Sequence, residues 1–282
     1  MKLLCTLPEP LEARIAPAGV FTYTDLDGDL VTIKTSQGSN ADLAATGVLT
    51  FSSPDAASPR FLQKIDLSLN ASVFAGTNLS LTVKRGPDGD GLAHVGAIDA
   101  SAEAGGVGID LGKVTIKGDL GQIDAGDATV TIASPAVKLL SVRSMGSFGL
   151  VTQGAVGDLV SDFAGSLVAL KVSGDLRGVY LHAAGGTGDA EAAFGSIQIR
   201  GSVIGGTANN SGKLECFGTA GVVKIGGSLE GGAGERAGSL YFRRGADAIS
   251  IRGSVVGGAG FSSGTIEDLG HELEDRWLAH RG

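Results

Sequence analysis

Between Val114 and Gly253 the chain returns six times to one short pattern of apolar, polar, apolar, polar and a small residue. It reads "VTIKG" at 114–118, "LKVSG" at 170–174, "IQIRG" at 197–201, "VKIGG" at 223–227 and "ISIRG" at 249–253. "LSVRS" at 140–144 fits with Ser144 in the glycine place. Successive fifth positions lie 26, 30, 27, 26 and 26 residues apart. Strict alternation predicts a strand with one buried face. A near-fixed period of this size predicts a repeat architecture.

The residues between the strands select among repeat folds. Glycine pairs follow most of these strands, and glycine costs a helix about 1 kcal/mol relative to alanine. That argues against helical repeats. Leucine-rich repeats carry Asn or Cys after their strand, where this chain has Gly-Ser or Gly-Asp. Calcium-binding nonapeptide repeats need Asp at a place held by Arg236 in "GGAGERAGS" and by Ser262 in "GGAGFSSGT". A coil of about 26 residues has room for roughly three short strands and three turns. "KLECF" (213–217) and "SLYFR" (239–243) supply a second strand per coil. The expected fold is therefore all-β, a parallel, right-handed β-helix or solenoid. Val114/Ile116, Leu140/Val142, Leu170/Val172, Ile197/Ile199, Val223/Ile225 and Ile249/Ile251 form its interior ladders. Each coil repeats the spelling of the one before because it must match that coil's surface.

The flanks read differently. Residues 1–17 are expected to be a leader or targeting segment. Residues 18–90 form an N-terminal β module or cap, in which "FTYT" and "LVTIKTS" flank an Asp-Gly hairpin turn in "DLDGD". "GVLTFS", "KIDLSLN" and "NLSLTVKRG" add strands. The solenoid is assigned to 91–265. In 266–282, Leu269, Leu273 and Trp277 fall on one face of a possible capping helix, unless this tail marks a truncated frame.

Composition narrows the function. The 282 residues include 47 Gly, carry a net charge of −8 and have a mean hydropathy of +0.22. The apolar content excludes a disordered chain, and the acidity excludes a general nucleic-acid binder. No apolar run reaches the roughly eighteen residues of a transmembrane helix. Only Cys5 and Cys216 exist, too few for a disulfide framework or a cysteine-based zinc site. All seven prolines lie at or before Pro135, which suits a long uninterrupted sheet beyond it.

Several stretches resemble a known group. "PEPLEARIAPAG", "YTDLDGDLVTIKTS", "VGAIDASA", "DLGKVTIKGDLGQIDAGD" and "GGSLEGGAGERAGSL" look like the large secreted Gly-rich repeat proteins of planctomycete- and verrucomicrobia-type bacteria, which open on an LEPR-like segment. The resemblance implies a β-solenoid in an extracellular or cell-surface setting. It carries over no catalytic residue.

The outward positions of the repeated strand hold one basic residue per coil: Lys117, Arg143, Lys171, Arg200, Lys224 and Arg252. Such a stripe suits weak, repeated contacts with an anionic polysaccharide or cell-surface matrix. It suits better still a solvated face that resists sheet-to-sheet association, since charge runs usually serve solvation. Twelve residues before three of the fifth positions stand Asp162, Asp189 and Glu215, with Tyr241 in the next coil, an acidic ladder expected on another sheet. Stacked carboxylates of this kind bind Ca²⁺ or serve a carbohydrate-active β-helix, a polysaccharide lyase or hydrolase. Tyr180, Tyr241, Phe242 and Trp277 are few for sugar platforms. Asp25, Asp27 and Asp29 resemble the opening of a Ca²⁺ loop, but Ser36 stands where an EF-hand needs Glu. "GFSSG" matches G-x-S-x-G only as any Gly/Ser-rich repeat would, "HELED" lacks the second histidine of a zincin, and there is no P-loop or cofactor fingerprint. The expectation is a non-enzymatic, structural or adhesin-like protein, with a carbohydrate-active β-helix as the alternative.

Overall fold

The computed structural model describes residues 18–102, 107–127, 135–155, 157–183 and 194–270. It is an all-β, parallel β-solenoid of about six turns with coils of about 26 residues. Among the described residues, twenty-one strands, β1–β21 in chain order, join in one continuous sheet system that folds into three faces.

The first face is built by the repeated strand. It stacks β7 (Leu111–Ala125), β8 (Val137–Met145), β10 (Leu167–Val172), β13 (Phe194–Ile199), β16 (Ala220–Ile225) and β19 (Ala246–Ile251), each parallel to the next. Val114, Leu140, Leu170, Ile197, Val223 and Ile249 fall in register, as do Ile116, Val142, Val172, Ile199, Ile225 and Ile251. The first five members of each ladder are buried, contributing roughly 1.5–3 kcal/mol apiece. Ile249 and Ile251 are only partly buried, because β19 has a neighbouring coil on one side among the described residues.

Two-residue strands make the second face: β11 (Leu176–Arg177), β14 (Val203–Ile204), β17 (Leu229–Glu230) and β20 (Val255–Val256). At the corner leading into it, the fifth-position glycine meets the coil below. A Cβ on Gly227 would lie 2.4 Å from Ser202 Oγ, and one on Gly253 would lie 2.5 Å from Ser228 Oγ. The serine beside each glycine ties the coils together. Ser202 N–H donates to Asp175 (2.8 Å), Ser228 N–H to Ser202 Oγ (3.0 Å) and Ser254 N–H to Ser228 Oγ (3.1 Å). Close approach and this hydrogen-bond chain explain why Gly-Ser recurs.

The third face stacks β4 (Leu62–Asp66), β6 (Val95–Ala100), the second half of β7, β9 (Val160–Phe163), β12 (Tyr180–Ala183), β15 (Leu214–Cys216), β18 (Leu240–Phe242) and β21 (Ile266–Asp268). "KLECF" and "SLYFR" therefore form the expected strands, β15 and β18. Strand β7 departs from the pattern by running unbroken through Gly118, so the first and third faces share one strand in this coil. The 30-residue gap between Ser144 and Gly174 is filled by a 3-10 helix at Gly149–Gln153, which bulges from the stack before β9.

The expected hairpin is present: β1 (Val20–Thr24) pairs antiparallel with β2 (Leu30–Thr35), and Gly28 takes φ +91° in its turn. β2 pairs antiparallel with β5 (Leu79–Lys84), and β3 (Leu49–Phe51) with β4. β5 then pairs parallel with β7, and β4 with β6. The N-terminal strands thus supply the first rungs of two faces. "KIDLSLN" is strand only to Asp66; Ser68–Asn70 turn into a 3-10 helix. Residues 1–17 and the tail from His271, with Leu273 and Trp277, lie outside the described residues.

Candidate functional site

Alternation along the repeated strand sends its polar residues outward. All six cations are exposed. The strand register sorts the outward positions into two columns. One holds Thr115, Ser141, Lys171, Gln198, Lys224 and Ser250. The other, one residue past the second interior ladder, holds Lys117, Arg143, Ser173, Arg200, Gly226 and Arg252. From Lys171 onward the cation switches column at every coil. Neighbouring charges are then about 8 Å apart along the diagonal, where stacking within one column would bring them to about 4.8 Å. That spacing matches the Debye length of about 8 Å at physiological salt, so the checkerboard limits repulsion while keeping one charge on every rung.

None of the six forms an ion pair among the described residues. Nearby acids are engaged elsewhere. Asp119 is buried and accepts from Ser144 Oγ (2.6 Å) and Ser147 N–H (3.1 Å), and Asp175 accepts from Ser202. The surface is also concave at its C-terminal end. Gln198, Arg200, Lys224, Ser250 and Arg252 line a depression of about 430 Å³.

The acidic ladder lies on the third face, as expected, but its membership changes. Asp162 and Glu215 do share a column, with Tyr241 on the next rung; the rung between Asp162 and Glu215 is His182. Counting back twelve residues had pointed to Asp189, which lies outside the described residues. The count misses because this coil carries its extra residues after the third-face strand, between Ala183 and Phe194. The column also extends further back than expected. Asp66 pairs with Asp99, Asp99 with Asp124, and Ala125 with Phe163, which sets Asp124 beside Asp162. At the far end Tyr241 pairs with Glu267.

Most of this column is neutralised within the protein. Lys64 bridges Asp66 (2.9 Å) and Asp99 (2.7 Å). Burial pushes the Lys64 ammonium down, but the hydrogen bonds to the two carboxylates outweigh it and hold the group above its ordinary value. Lys213, its side chain 4% exposed, donates to Glu215 at 2.7 Å. It also lies 5.5 and 5.3 Å from the Tyr180 and Tyr241 ring centres. Tyr180 donates to the same Glu215 carboxylate in a short bond, and burial followed by that bond raises the phenol's pKa. His182 contacts Asp162 at 2.8 Å. Asp124 accepts from Gln122 Nε2 (2.6 Å) and Asp162 N–H (2.9 Å), but burial, with Asp162 and Asp99 close by, raises its carboxyl to about 7. Phe242 is interior, not a platform, and the buried Cys216 thiol is pushed up to about 11 by burial.

Asp25, Asp27 and Asp29 converge, each placing an oxygen within 4.8 Å of the others. Their bonds are mostly to backbone. Asp29 is fully buried and accepts from Gly86 N–H (2.6 Å) and Gly91 N–H (2.5 Å); Asp25 accepts from Asp29 N–H (2.8 Å), and Asp27 from Asp90 N–H (2.9 Å). Burial raises Asp25 to about 7, assisted by its hydrogen bond with Asp27, and that same bond holds Asp27 low. The cluster locks the hairpin to the 85–91 loop. "GFSSG" forms a turn in which Ser263 Oγ accepts from Gly258 N–H at 2.8 Å, and "HELED" lies outside the described residues. No helix among the described residues is long and apolar enough to cross a membrane. Comparison with protein-family models, curated proteins and solved structures finds no match to the chain.

Proposed function

We propose that this protein is a non-enzymatic, structural or adhesin-like solenoid of the bacterial cell exterior that binds anionic polysaccharide through its first face. The observation that carries the reading is the register of Lys117, Arg143, Lys171, Arg200, Lys224 and Arg252, exposed, without an ion pair among the described residues and borne on an acidic chain. A purely solvating surface needs no such uniform sign; mixed charges would serve it as well. Repeated weak contacts along a rigid rod add up by multivalency, and the depression at Arg200, Lys224 and Arg252 offers a seat for a polymer segment. The test is affinity chromatography and calorimetry with polygalacturonate at low salt. Binding is expected in the parent and absent after Lys171→Gln, Arg200→Gln and Lys224→Gln together. Equal binding in both would refute the assignment to this face.

A second reading rests on Asp124, a carboxyl raised to about 7 beside Asp162. An acid retained near neutrality next to a second carboxylate is the arrangement used in glycoside hydrolysis. New reducing ends from polygalacturonate, lost in Asp124→Asn, would favour a carbohydrate-active β-helix over a binding protein.

A further inference from the structure

A cleft opens where the N-terminal hairpin meets the early coils, away from the basic face. It encloses about 390 Å³, within the range of small-molecule sites. Tyr23 and Leu26 come from the hairpin, Phe61 and Leu62 from the entry to β4, and Phe148 and Val151 from the 3-10 bulge before β9. Three of these apolar side chains are unusually exposed: Val151 at 80%, Leu26 at 64% and Phe148 at 49%. They come from segments more than a hundred residues apart and converge on one opening, which marks a contact surface rather than scattered exposure.

The polar groups of the cleft are acidic. Asp25, Asp27 and Asp90 line it, and no lysine or arginine does. Besides Tyr23, whose phenol burial keeps protonated, the cleft holds His94, whose ring packs on Phe148 with centres 4.4 Å apart. His94 Nδ1 accepts from Asp119 N–H at 3.2 Å, which leaves Nε2 facing Asp90 at 3.7 Å. Ser52 Oγ and Thr152 Oγ1 are engaged with Phe61 N–H and the Gly149 carbonyl. Asp27 accepts from Asp90 N–H (2.9 Å) and Asp90 from Leu92 N–H (2.8 Å), but a carboxylate has further lone pairs to offer, so the recognition chemistry is an apolar wall and a carboxylate rim. A ligand satisfying both has an apolar body and one protonated nitrogen, held by a charge-assisted hydrogen bond. An anion is repelled by the acidic rim, and a neutral apolar molecule leaves it unused.

We propose that this cleft binds a small hydrophobic amine, an aromatic or branched aliphatic body bearing one ammonium group. The proposal is independent of polysaccharide binding on the first face.

The test uses the full chain and calorimetry with three probes of like shape: 2-phenylethylamine, 2-phenylethanol and 3-phenylpropionate. The amine should bind at least about tenfold more tightly than the alcohol, a difference of about 1.4 kcal/mol, and the carboxylate should give no binding. Asp27→Asn combined with Asp90→Asn should weaken the amine about tenfold, leaving the alcohol unchanged. Because Asp27 also supports the turn, Val151→Lys serves as the second variant. Val151 is exposed, so its replacement leaves the fold intact and sets a competing cation at the mouth. It should abolish amine binding. Equal affinity for amine and alcohol, no amine binding at millimolar concentration, or unchanged binding in Val151→Lys would each overturn the proposal.

Discussion

The protein carries two charged columns on one rod, and they are built on opposite terms. The acidic column is folded into the structure. Asp66, Asp99 and Glu215 are nearly buried and held by Lys64 and Lys213, and Asp162 touches His182. The basic column is left outside. Its six cations have no carboxylate partner among the described residues and alternate between two positions over the last four coils. A parallel solenoid stacks the same position of successive coils, so each charge either finds a partner in its own or the adjacent coil or faces solvent. The acidic column takes the first course and the basic column the second, so only the basic one retains unmatched charge for a partner.

The difference can be broken most severely within one strand. Ile225 points inward between two coils and Lys224, its neighbour, points out. Ile225→Asp should cost about 4 kcal/mol or more, since it buries an unpaired charge, while Lys224→Gln should stay within about 0.5 kcal/mol. Urea midpoints of the two variants compare them. Equal midpoints would mean that the strand is not oriented as described.

A somewhat smaller effect is expected in the acidic column. Lys213→Met leaves Glu215 buried without its cation and should destabilise by about 3 kcal/mol. Adding Glu215→Gln should recover part of that loss, and thermal melts of the two variants check it.

Asp124 then separates the columns by pH. Its folded carboxyl titrates at about 7 against an ordinary 3.8, so between those values the folded chain holds a proton that the unfolded chain has lost. The stabilising contribution is complete below about pH 4 and disappears as pH rises through 7. Asp25 acts in the same direction. Asp124→Asn should therefore reduce the fall in melting temperature between pH 5 and pH 8 by a few degrees. A cationic-face variant should leave that fall unchanged.

The smallest effect concerns a cation outside both columns. Asn210, Arg236 and Ser262 occupy the same turn in successive coils with φ of 59°, 53° and 51°. Asparagine tolerates this left-handed conformation best. Arg236→Asn should raise stability by about 0.5–1 kcal/mol, read by thermal melting, without altering polysaccharide binding.

The interior and the basic face were legible in the sequence because both follow from two periods, two residues along the strand and about 26 along the chain. The acidic column was only half legible. Its later members were counted from the fifth-position glycine, a rule that holds for Asp162, Glu215 and Tyr241 and fails where ten residues rather than three separate the third-face strand from the next first-face strand, after Ala183. Its earlier members had a signal of their own: "KID" at 64–66, "AID" at 97–99 and "QID" at 122–124. The first two of these lie before the glycine pattern begins at 114–118, so counting back from its glycines could not reach them. The apolar cleft gave no sign, because residues from the hairpin, the β3–β4 region, the approach to β6 and the 3-10 bulge meet only through the coil stacking.

The central claim is that, of the two stacked columns, the basic one holds the charge available to a polymeric partner. The most direct test is polygalacturonate affinity across a salt series for the parent, for the Lys171→Gln, Arg200→Gln, Lys224→Gln chain and for Asp162→Asn. In the parent, log affinity should fall linearly with log salt. Each cation removed should lower that slope by somewhat less than one unit, as counterion release does on other polyanions, and Asp162→Asn should keep the parent's slope. A parent that binds without salt dependence, or a triple variant with the parent's slope, would contradict the account.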